Sequence, residues 1–333
     1  MSRNWQRIIC NAEKLIGAPP PYIDFAPFST PESDTLVSRT RKVLSKSEHP
    51  LRSVIKESIK QSPYTNPFSL SIGRKDVSPG TSGGFVSAGL LLLLHGQILM
   101  DRPDCTRKKS RLLGQHRKLA EIYETVFLAV SMHRCIKDEK SAEVGNKLCI
   151  LIGDSLLSKV SLALAKFEQP RVVGEVSDAI GALYEAEFHP FLQHPDYTNV
   201  DEAVAQWKQF LYLFRGKFLV SLFKSMDLLS VGEAVSDYEA LNCWNLLEQT
   251  LLEATALKTQ VQPFYYFGLE RKTLSQSCAL VDLQTLSTIA KSALHQLQDL
   301  YRGMDHMSPQ LKHTFDEILQ EFHMDIRLLS AES

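Results

Sequence analysis

The sequence predicts a single all-α domain of about ten helices. Apolar residues recur at the three- and four-residue spacing of amphipathic helices, and no segment keeps the period of two expected of a strand. The chain has 333 residues, 44% of them hydrophobic, which is enough for one large core. No internal repeat of fixed period divides it. We therefore expect one domain spanning residues 1–333.

Apolar spacing and helix-breaking residues place the helices along the chain. The predicted helices lie at 3–16, 33–47, 50–61, 82–100, 108–136, 144–167, 171–188, 199–229, 232–260, 275–301 and 308–330. Prolines exclude a helix from residues 17–32. The segment 62–83 is rich in Ser, Pro and Gly, which predicts a surface insertion or a flexible arm.

The first predicted helix, residues 3–16, has two interpretations. Its apolar stripe consists of Trp5, Ile8, Ala12, Leu15 and Ile16. Such a stripe is typical of a helix that packs on a core. Together with Arg3 and Arg7, it is also typical of a segment that directs a protein to mitochondria. The sequence leaves both interpretations open and shows no clear cleavable presequence.

The most apolar run, Gly84–Met100, requires burial either in a core or in a membrane. It is slightly short for a bilayer, and Ser87, His95 and Gln97 interrupt it. We therefore predict a helix buried within the protein, and no transmembrane segment.

The helix predicted at 108–136 has an apolar face that changes character at its end. The face consists of Leu119, Ile122, Tyr123, Val126, Phe127 and Val130. The next positions on it should be either apolar or part of a site, and they are His133, Arg134 and Lys137. A histidine and two cations therefore mark this helix end as a candidate site.

Overall charge and the cysteines narrow the function classes. The 37 basic and 38 acidic residues nearly balance, which does not favour binding to nucleic acid or to an acidic membrane. The six cysteines contain no CxxC pair, which indicates reduced thiols rather than disulfides or a zinc site. Walker, HExxH, GxSxG and dinucleotide-binding motifs are missing from the sequence.

The segments 119–138 and 145–165 resemble the trans-polyprenyl diphosphate synthases. Gly-Asn-Lys at 145–147 and Leu-x-Gly-Asp-x-Leu-Leu at 151–157 match the family's pattern. The sequence is similar in particular to the non-catalytic second subunit of the heteromeric decaprenyl diphosphate synthases. The likeness covers most of residues 4–265 and implies the isoprenoid synthase (trans-prenyltransferase) helical fold.

In active relatives the first of these helices ends in His-Asp-Asp-x-x-Asp, whose carboxylates hold magnesium. The corresponding residues here are His133, Arg134, Cys135, Ile136, Lys137 and Asp138. Only the last aspartate is retained, and the cations occupy the place of the metal ligands. Mg²⁺ binds carboxylate oxygens, not guanidinium or thiol groups. We therefore expect that this motif holds no metal.

The other active-site elements of the family are altered as well. The three aspartates of the second motif correspond to Thr259, Gln260 and Pro263. Phe85 stands near the place of a lysine that grips isopentenyl diphosphate, and the Lys-Thr element falls near Arg215 and Gly216. The resemblance thus implies a prenyltransferase fold without catalytic residues or cofactors of its own.

The helix predicted at 144–167 is the candidate partner interface. Its apolar residues do not fit one stripe, so it needs burial on more than one side. In such synthases this helix and the next form the dimer interface, and we predict contacts through Leu156, Leu157 and Val160. The alternative is a central helix buried wholly within its own fold.

Three functional hypotheses follow. The first, implied by the resemblance, is a non-catalytic subunit that stabilises a catalytic polyprenyl diphosphate synthase. The resemblance also implies a mitochondrial location for this protein. Its partner, in a heterodimer or heterotetramer, would bind Mg²⁺ and make the side chain of ubiquinone. The second is an enzyme with altered, metal-independent chemistry, in which Arg134 and Lys137 bind a diphosphate. The third is a protein that binds prenyl lipids in a tunnel lined by residues such as Phe127 and Val130.

Overall fold

The computed structural model describes residues 3–17, 88–105, 108–134, 136, 138, 140–193, 196–234, 236–259 and 274–331. These residues form helices and turns without a strand, which confirms the predicted all-α class. The helices longer than ten residues are α1 (Arg3–Ile16), α2 (Ala88–Asp101), α3 (Lys109–Arg134), α4 (Glu143–Ala165), α5 (Pro170–Glu185), α6 (Val200–Leu211), α7 (Lys217–Ser230), α8 (Tyr238–Thr259), α9 (Leu283–Arg302) and α10 (Pro309–Ala331).

The bounds of most predicted helices are confirmed to within a few residues. The predicted helices at 33–47 and 50–61 and the predicted insertion at 62–83 lie outside the described residues. Buried side chains of α1 to α10 belong to one hydrophobic cluster. A single domain over the whole of residues 1–333 stays a prediction.

Helix α8 begins at Tyr238 and not at residue 232 as predicted. The residues before it form a turn around the buried carboxylate of Asp227, which accepts the Ser236 N–H at 2.9 Å and its hydroxyl at 3.0 Å. Gly232 lies in this turn with a φ of +88°, which ends the preceding helix. The late start of α8 is thus a consequence of polar contacts that apolar spacing does not reveal.

Helix α9 begins at Leu283 and not at residue 275 as predicted. The Asp282 carboxylate caps the helix by accepting the Thr285 N–H at 2.7 Å. A separate short helix, Leu274–Ser277, precedes it.

Helix α2 lies in the core, as the sequence predicts for this apolar run. Twelve of its fourteen residues are buried, including His95. In the part of the chain that the structure describes, one helix, α4, is long and apolar enough to cross a membrane. Since α4 packs along α3, which lies against α2 and α7, its inner side belongs to the protein core.

Helix α1 packs against the C-terminal helix α10. The Trp5 ring meets Phe322 edge-on at a centroid distance of 5.0 Å, and its indole N–H donates to Asp325 at 3.2 Å. Arg7 forms an ion pair with Glu317 at 3.1 Å. These contacts favour the interpretation of residues 3–16 as the first helix of the folded protein.

A π-helical turn, Tyr212–Gly216, joins α6 to α7 without a break. The Asn245 side chain on α8 donates to the Leu211 carbonyl at 3.2 Å. Gly216 lies so close to α8 that a Cβ there would be 2.2 Å from Oδ1 of Asn242. The turn places Arg215 in the protein interior, where it is 2% exposed.

Candidate functional site

The C-terminal end of α3 carries the altered first motif. His133 and Arg134 are the last residues of this helix, and Asp138 lies beyond it with an exposed side chain. Cys135 and Lys137 lie outside the described residues. The structure therefore shows the surroundings of the motif at its first two positions.

Arg134 is bound within the chain on three sides. Its guanidinium pairs with the Glu187 carboxylate, donates to the Leu183 carbonyl at 3.4 Å and lies 4.5 Å from the centre of the Phe214 ring. The side chain is 6% exposed. Ion pairs and cation–π contacts at a poorly solvated site hold a guanidinium in place. The cation in the motif thus ties the end of α3 to the end of α5.

His133 joins three helices. Its Nδ1 lies 3.0 Å from the Tyr184 hydroxyl on α5, and its Nε2 lies 3.3 Å from the Asp154 carboxylate on α4. Burial raises the pKa of Tyr184, so the phenol keeps its proton and can donate it to the imidazole. The motif residue therefore has a bonding role that requires no ligand.

Gly153 permits the close approach of α4 to this histidine. A Cβ at residue 153 would lie 2.2 Å from Nε2 of His133, far inside van der Waals contact. Gly153 and Asp154 both belong to the Leu-x-Gly-Asp segment that carries the resemblance. In this chain, that segment holds His133 in place.

The residues at the end of α3 do not fit a magnesium ion. Among the residues that the structure describes, no group of three or more His, Cys, Asp or Glu side chains could hold a metal. An ion beside Arg134 would meet a positive charge, and at ~4 Å the repulsion between a doubly charged ion and a guanidinium is about 2 kcal/mol in water and larger in a cleft. The described residues at the end of α3 therefore offer Mg²⁺ no suitable set of ligands.

The second altered motif is described at one position. Thr259 is the last residue of α8, and Gln260 and Pro263 lie outside the described residues, as does Phe85. The predicted replacement of metal-binding aspartates by these residues stays a prediction from the sequence.

Arg215, near the place of the family's Lys-Thr element, is a core residue in this structure. Its guanidinium forms an ion pair with Glu248 at 2.7 Å and donates to the Tyr123 hydroxyl at 2.7 Å. Tyr123 precedes Arg134 by eleven residues of α3, which corresponds to about 16 Å along a helix. The contact of Arg215 with α3 is therefore about three helical turns away from Arg134.

The position proposed as a tunnel lining is filled by protein. The Phe127 ring lies 4.7 Å from the Tyr123 ring and 5.6 Å from the Phe218 ring, measured between centroids. These three side chains and Val130 are almost fully buried. The packing favours ordinary core at Phe127 and Val130.

Two of the three predicted partner contacts on α4 face the protein interior, which argues against their role in binding a partner, and the interface itself stays a prediction. Leu156 and Val160 are 1% and 2% exposed, and Leu157 is partly buried against the core. The helix is apolar on both sides, so its sequence does not reveal which side faces inward. The exposed side carries the large apolar residues Val144, Ile150, Leu151 and Leu162.

Helix α5 and the turn after it present a second unusual surface. Gly174 and Gly181, seven residues apart, are exposed with open space where a Cβ would lie. Phe188, a further seven residues along the chain, is 80% exposed. It directly follows Glu187, so the Arg134 ion pair is next to the most exposed aromatic side chain among the described residues.

Three partners of the candidate residues were not predicted from the sequence. Tyr184 contacts His133, Glu187 pairs with Arg134, and Glu248 pairs with Arg215. These partners lie on other helices, roughly 30 to 55 residues away in the chain. Their signal in the sequence was weak: each is a polar residue close to an apolar stripe. The pairing itself is set by tertiary packing.

No family model matches the chain. It is similar to the protein named all trans-polyprenyl-diphosphate synthase PDSS2 of Homo sapiens, with 24% identity over 278 residues, or 78% of this chain and 63% of the human protein. It is also 36% identical over 134 residues to the decaprenyl-diphosphate synthase of Dictyostelium discoideum, covering 38% of this chain and 28% of that protein. The mitochondrial hexaprenyl pyrophosphate synthase of Saccharomyces cerevisiae is 32% identical over 96 residues, covering 26% of this chain and 20% of the yeast protein.

Solved prenyl synthase structures also superpose on the chain. The apo form of an Arabidopsis medium/long-chain prenyl pyrophosphate synthase has a TM-score of 0.48 at 14% identity, covering 86% of this chain and 97% of that chain. A geranyltranstransferase from Thermotoga maritima has a TM-score of 0.47 at 14% identity, covering 88% and 97%. No conclusion about function follows from superpositions of this quality.

The sequence relationship confirms the likeness expected from the motifs. This chain is similar to polyprenyl diphosphate synthases, and it is similar to PDSS2 over most of its length. Its described residues are helical, as that likeness leads us to expect. It spans 63% of the length of the human relative.

Proposed function

Starting from this relationship, we propose that the chain is a non-catalytic subunit that stabilises and regulates a heteromeric trans-polyprenyl diphosphate synthase of the decaprenyl type. Its partner would be a catalytic subunit with intact aspartate-rich motifs. That subunit would bind Mg²⁺ and make the isoprenoid side chain of ubiquinone. The chain itself would contribute no cofactor and no catalytic residue.

One observation carries the proposal. Where an active synthase has a metal-binding aspartate, this chain has Arg134, whose guanidinium is engaged by Glu187, Leu183 and Phe214. A diphosphate would have to displace the Glu187 carboxylate to reach it. The contacts therefore also argue against the alternative of a metal-independent enzyme that binds diphosphate through this residue.

We place the partner-binding surface on the outer sides of α4 and α5. Leu151 and Leu162, 60% and 61% exposed, lie on the same side of α4. Isolated apolar side chains are common on surfaces, but the three residues Val144, Leu151 and Leu162 on one face of a helix favour a covered surface. On α5, Gly174 and Gly181 would allow another helix to approach closely.

We propose a mitochondrial location because several relatives are named mitochondrial hexaprenyl pyrophosphate synthases. Residues 3–16 would be retained at that location, because Trp5 and its neighbours pack on α10.

The proposal is tested by purifying the full chain alone and after co-expression with a polyprenyl diphosphate synthase that carries both aspartate-rich motifs. We expect no condensation of isopentenyl diphosphate with allylic diphosphates by the chain alone, with or without Mg²⁺. We expect the two chains to elute together on a sizing column. The complex should make long-chain polyprenyl diphosphate faster than the catalytic chain alone.

Two results would contradict the proposal. Steady turnover by the pure chain would identify an enzyme, and its loss in Arg134→Lys would assign the diphosphate to this residue. Separate elution of the two chains, with no change in activity, would remove the subunit role. A matched control replaces an aspartate of the partner's first motif, which should abolish turnover without dissociating the complex.

A further inference from the structure

A buried group of charged side chains lies where α2, α3, α8 and the π-turn meet. Arg215 forms an ion pair with Glu248 at 2.7 Å and a hydrogen bond with the Tyr123 hydroxyl at 2.7 Å. Glu124, next to Tyr123 on α3, is within electrostatic reach of both Arg215 and Glu248, and the Gly89 N–H of α2 donates to it. All three charged side chains are at least nine-tenths buried.

The group contains one positive charge for two carboxyls. Glu248 forms an ion pair with the guanidinium at 2.7 Å, and Glu124 interacts with it electrostatically. Oε2 of Glu124 and Oε1 of Glu248 are buried without a hydrogen-bond partner. An ionised carboxylate in such surroundings is costly unless a positive charge compensates it. One bound proton would leave the group electrically neutral.

Other ionisable groups on the packed helices have partners of their own. On α2, His95 faces the Asp227 carboxylate of α7 at 3.4 Å. On α8, the Glu253 carboxylate accepts the Leu274 N–H at 3.0 Å. Tyr123 of α3 is already bonded to Arg215. Among the described residues, the charge balance at the buried group is therefore set by Glu124, Arg215 and Glu248.

We propose that Glu124, Arg215 and Glu248 form a binding site for a single proton, held on Glu124, which makes the contacts of Arg215 with α3 and α8 sensitive to pH. Burial raises the pKa of Glu248 as well, but the direct ion pair and hydrogen bond with Arg215 oppose this and favour its ionised form over that of Glu124. The proton neutralises the second carboxyl, for which no further cation is present in the group. Its release would place two negative charges against one guanidinium in the core.

The electrostatics of Glu124 agree with this assignment. Burial raises its pKa to about 7, against the opposing effects of Arg215 and the Gly89 N–H, and Glu248 adds to the increase. In the unfolded chain the ordinary value is 4.5. The folded protein therefore binds the proton more tightly than the unfolded chain. The resulting stabilisation is fully present below pH ~4.5 and is lost as the pH rises through about 7.

The proposal is tested by urea unfolding of the full chain from pH 5 to 8.5, for the wild type, Glu124→Gln and Glu185→Gln. Gln at residue 124 keeps an oxygen for the Gly89 N–H and cannot ionise. We expect the unfolding constant of the wild type to rise at least tenfold relative to Glu124→Gln across this range, since the two pKa values allow a maximum of roughly 300-fold. Glu185 is exposed on α5, so its variant should follow the wild type.

Comparison with Glu124→Gln removes the contributions of other titrating groups. Burial also raises the pKa of Asp325 and lowers that of His116, and both effects are common to the wild type and the variant. Parallel pH profiles of the wild type and Glu124→Gln would overturn the proposal.

Infrared difference spectra between pH 6 and 8.5 give a second measurement, independent of stability. Asp325, whose pKa burial raises to about 6, contributes a protonated-carboxyl band of its own at pH 6, so the two proteins are compared with each other. The band at pH 6 should be stronger in the wild type than in Glu124→Gln, and this difference should be nearly gone at pH 8.5. In Glu248→Gln, Glu124 faces Arg215 without the charge of Glu248, so its part of the band should disappear at a lower pH. Equal bands in the wild type and Glu124→Gln, or a band that titrates unchanged in Glu248→Gln, would also overturn the assignment.

Discussion

The smallest residue at the candidate site, Gly153, has one of the largest effects on its geometry. We predict that Gly153→Ala destabilises the protein by roughly 1–3 kcal/mol, because the added Cβ would overlap the His133 ring and force the ring or α4 to move. The free energy of unfolding in urea, measured for the purified chain, gives the result.

Gly174→Ala is the matched control for this substitution. Gly174 also lies within a helix, but its Cβ position is open. Replacing an exposed helical Gly with Ala should stabilise the chain by about 0.5–1 kcal/mol. Equal effects of the two substitutions would show that contact with His133 is unimportant.

Arg134 has a structural role that the motif alone does not predict. We expect Arg134→Asp to destabilise the chain by roughly 2–4 kcal/mol, because it sets a carboxylate against Glu187. The estimate is lower than for a fully buried pair because the Glu187 side chain is 29% exposed. The reversed pair, Arg134→Asp with Glu187→Arg, should recover part of the loss in thermal unfolding. Additive effects of the two single changes would contradict the contact.

For single residues, the sequence predicts which positions depart from the apolar pattern, but it does not predict which side chains they contact. His133 and Arg134 stood out because they interrupt an apolar face. Their partners, Tyr184 and Glu187, lie on a helix about 50 residues later, so local pattern carries no information about the pairing.

Among the helices, α4 provides the sharpest test of the partner surface. We predict that Leu151→Glu with Leu162→Glu leaves the chain folded, because both side chains are exposed, yet separates it from its catalytic partner. Each leucine buried in an interface contributes roughly 1.5–3 kcal/mol. Co-elution on a sizing column and circular dichroism measure the two outcomes.

Leu156→Glu on the same helix is the matched control. Its side chain is 1% exposed within the chain, so a carboxylate there should unfold the protein rather than dissociate a complex. A folded Leu156→Glu variant would mean that α4 is not packed on α3 as described. An intact complex with both outer leucines replaced would move the partner surface elsewhere.

Apolar spacing was enough to predict that the helices exist. It did not predict where α8 and α9 begin, or which face of α4 is buried. The starts of α8 and α9 depend on Asp227 and Asp282, whose carboxylates bind backbone N–H groups. The inner face of α4 depends on its contact with α3, because apolar residues cover both sides. Side-chain capping and tertiary packing outweighed local propensity at these places.

The first and last described helices of the molecule are held together by contacts between distant parts of the sequence. Trp5 of α1 meets Phe322 and Asp325 of α10. We predict that Trp5→Ala costs roughly 3–5 kcal/mol of unfolding free energy, because it removes a buried aromatic ring and a hydrogen bond. Cys10→Ala, at an exposed position on α1, should have little effect. Thermal unfolding distinguishes these variants, and equal melting temperatures would show that α1 is dispensable.

The ion pair between Arg134 and Glu187 also has a consequence for substitutions at residue 134. Restoring an aspartate at residue 134 alone would oppose two carboxylates, and changing Glu187 first would take away the guanidinium's counter-charge. Both mutational orders pass through a weakened intermediate. The pair is therefore a barrier to any single substitution that would place a metal-binding carboxylate at residue 134, because a second change at Glu187 would be needed to keep the contact.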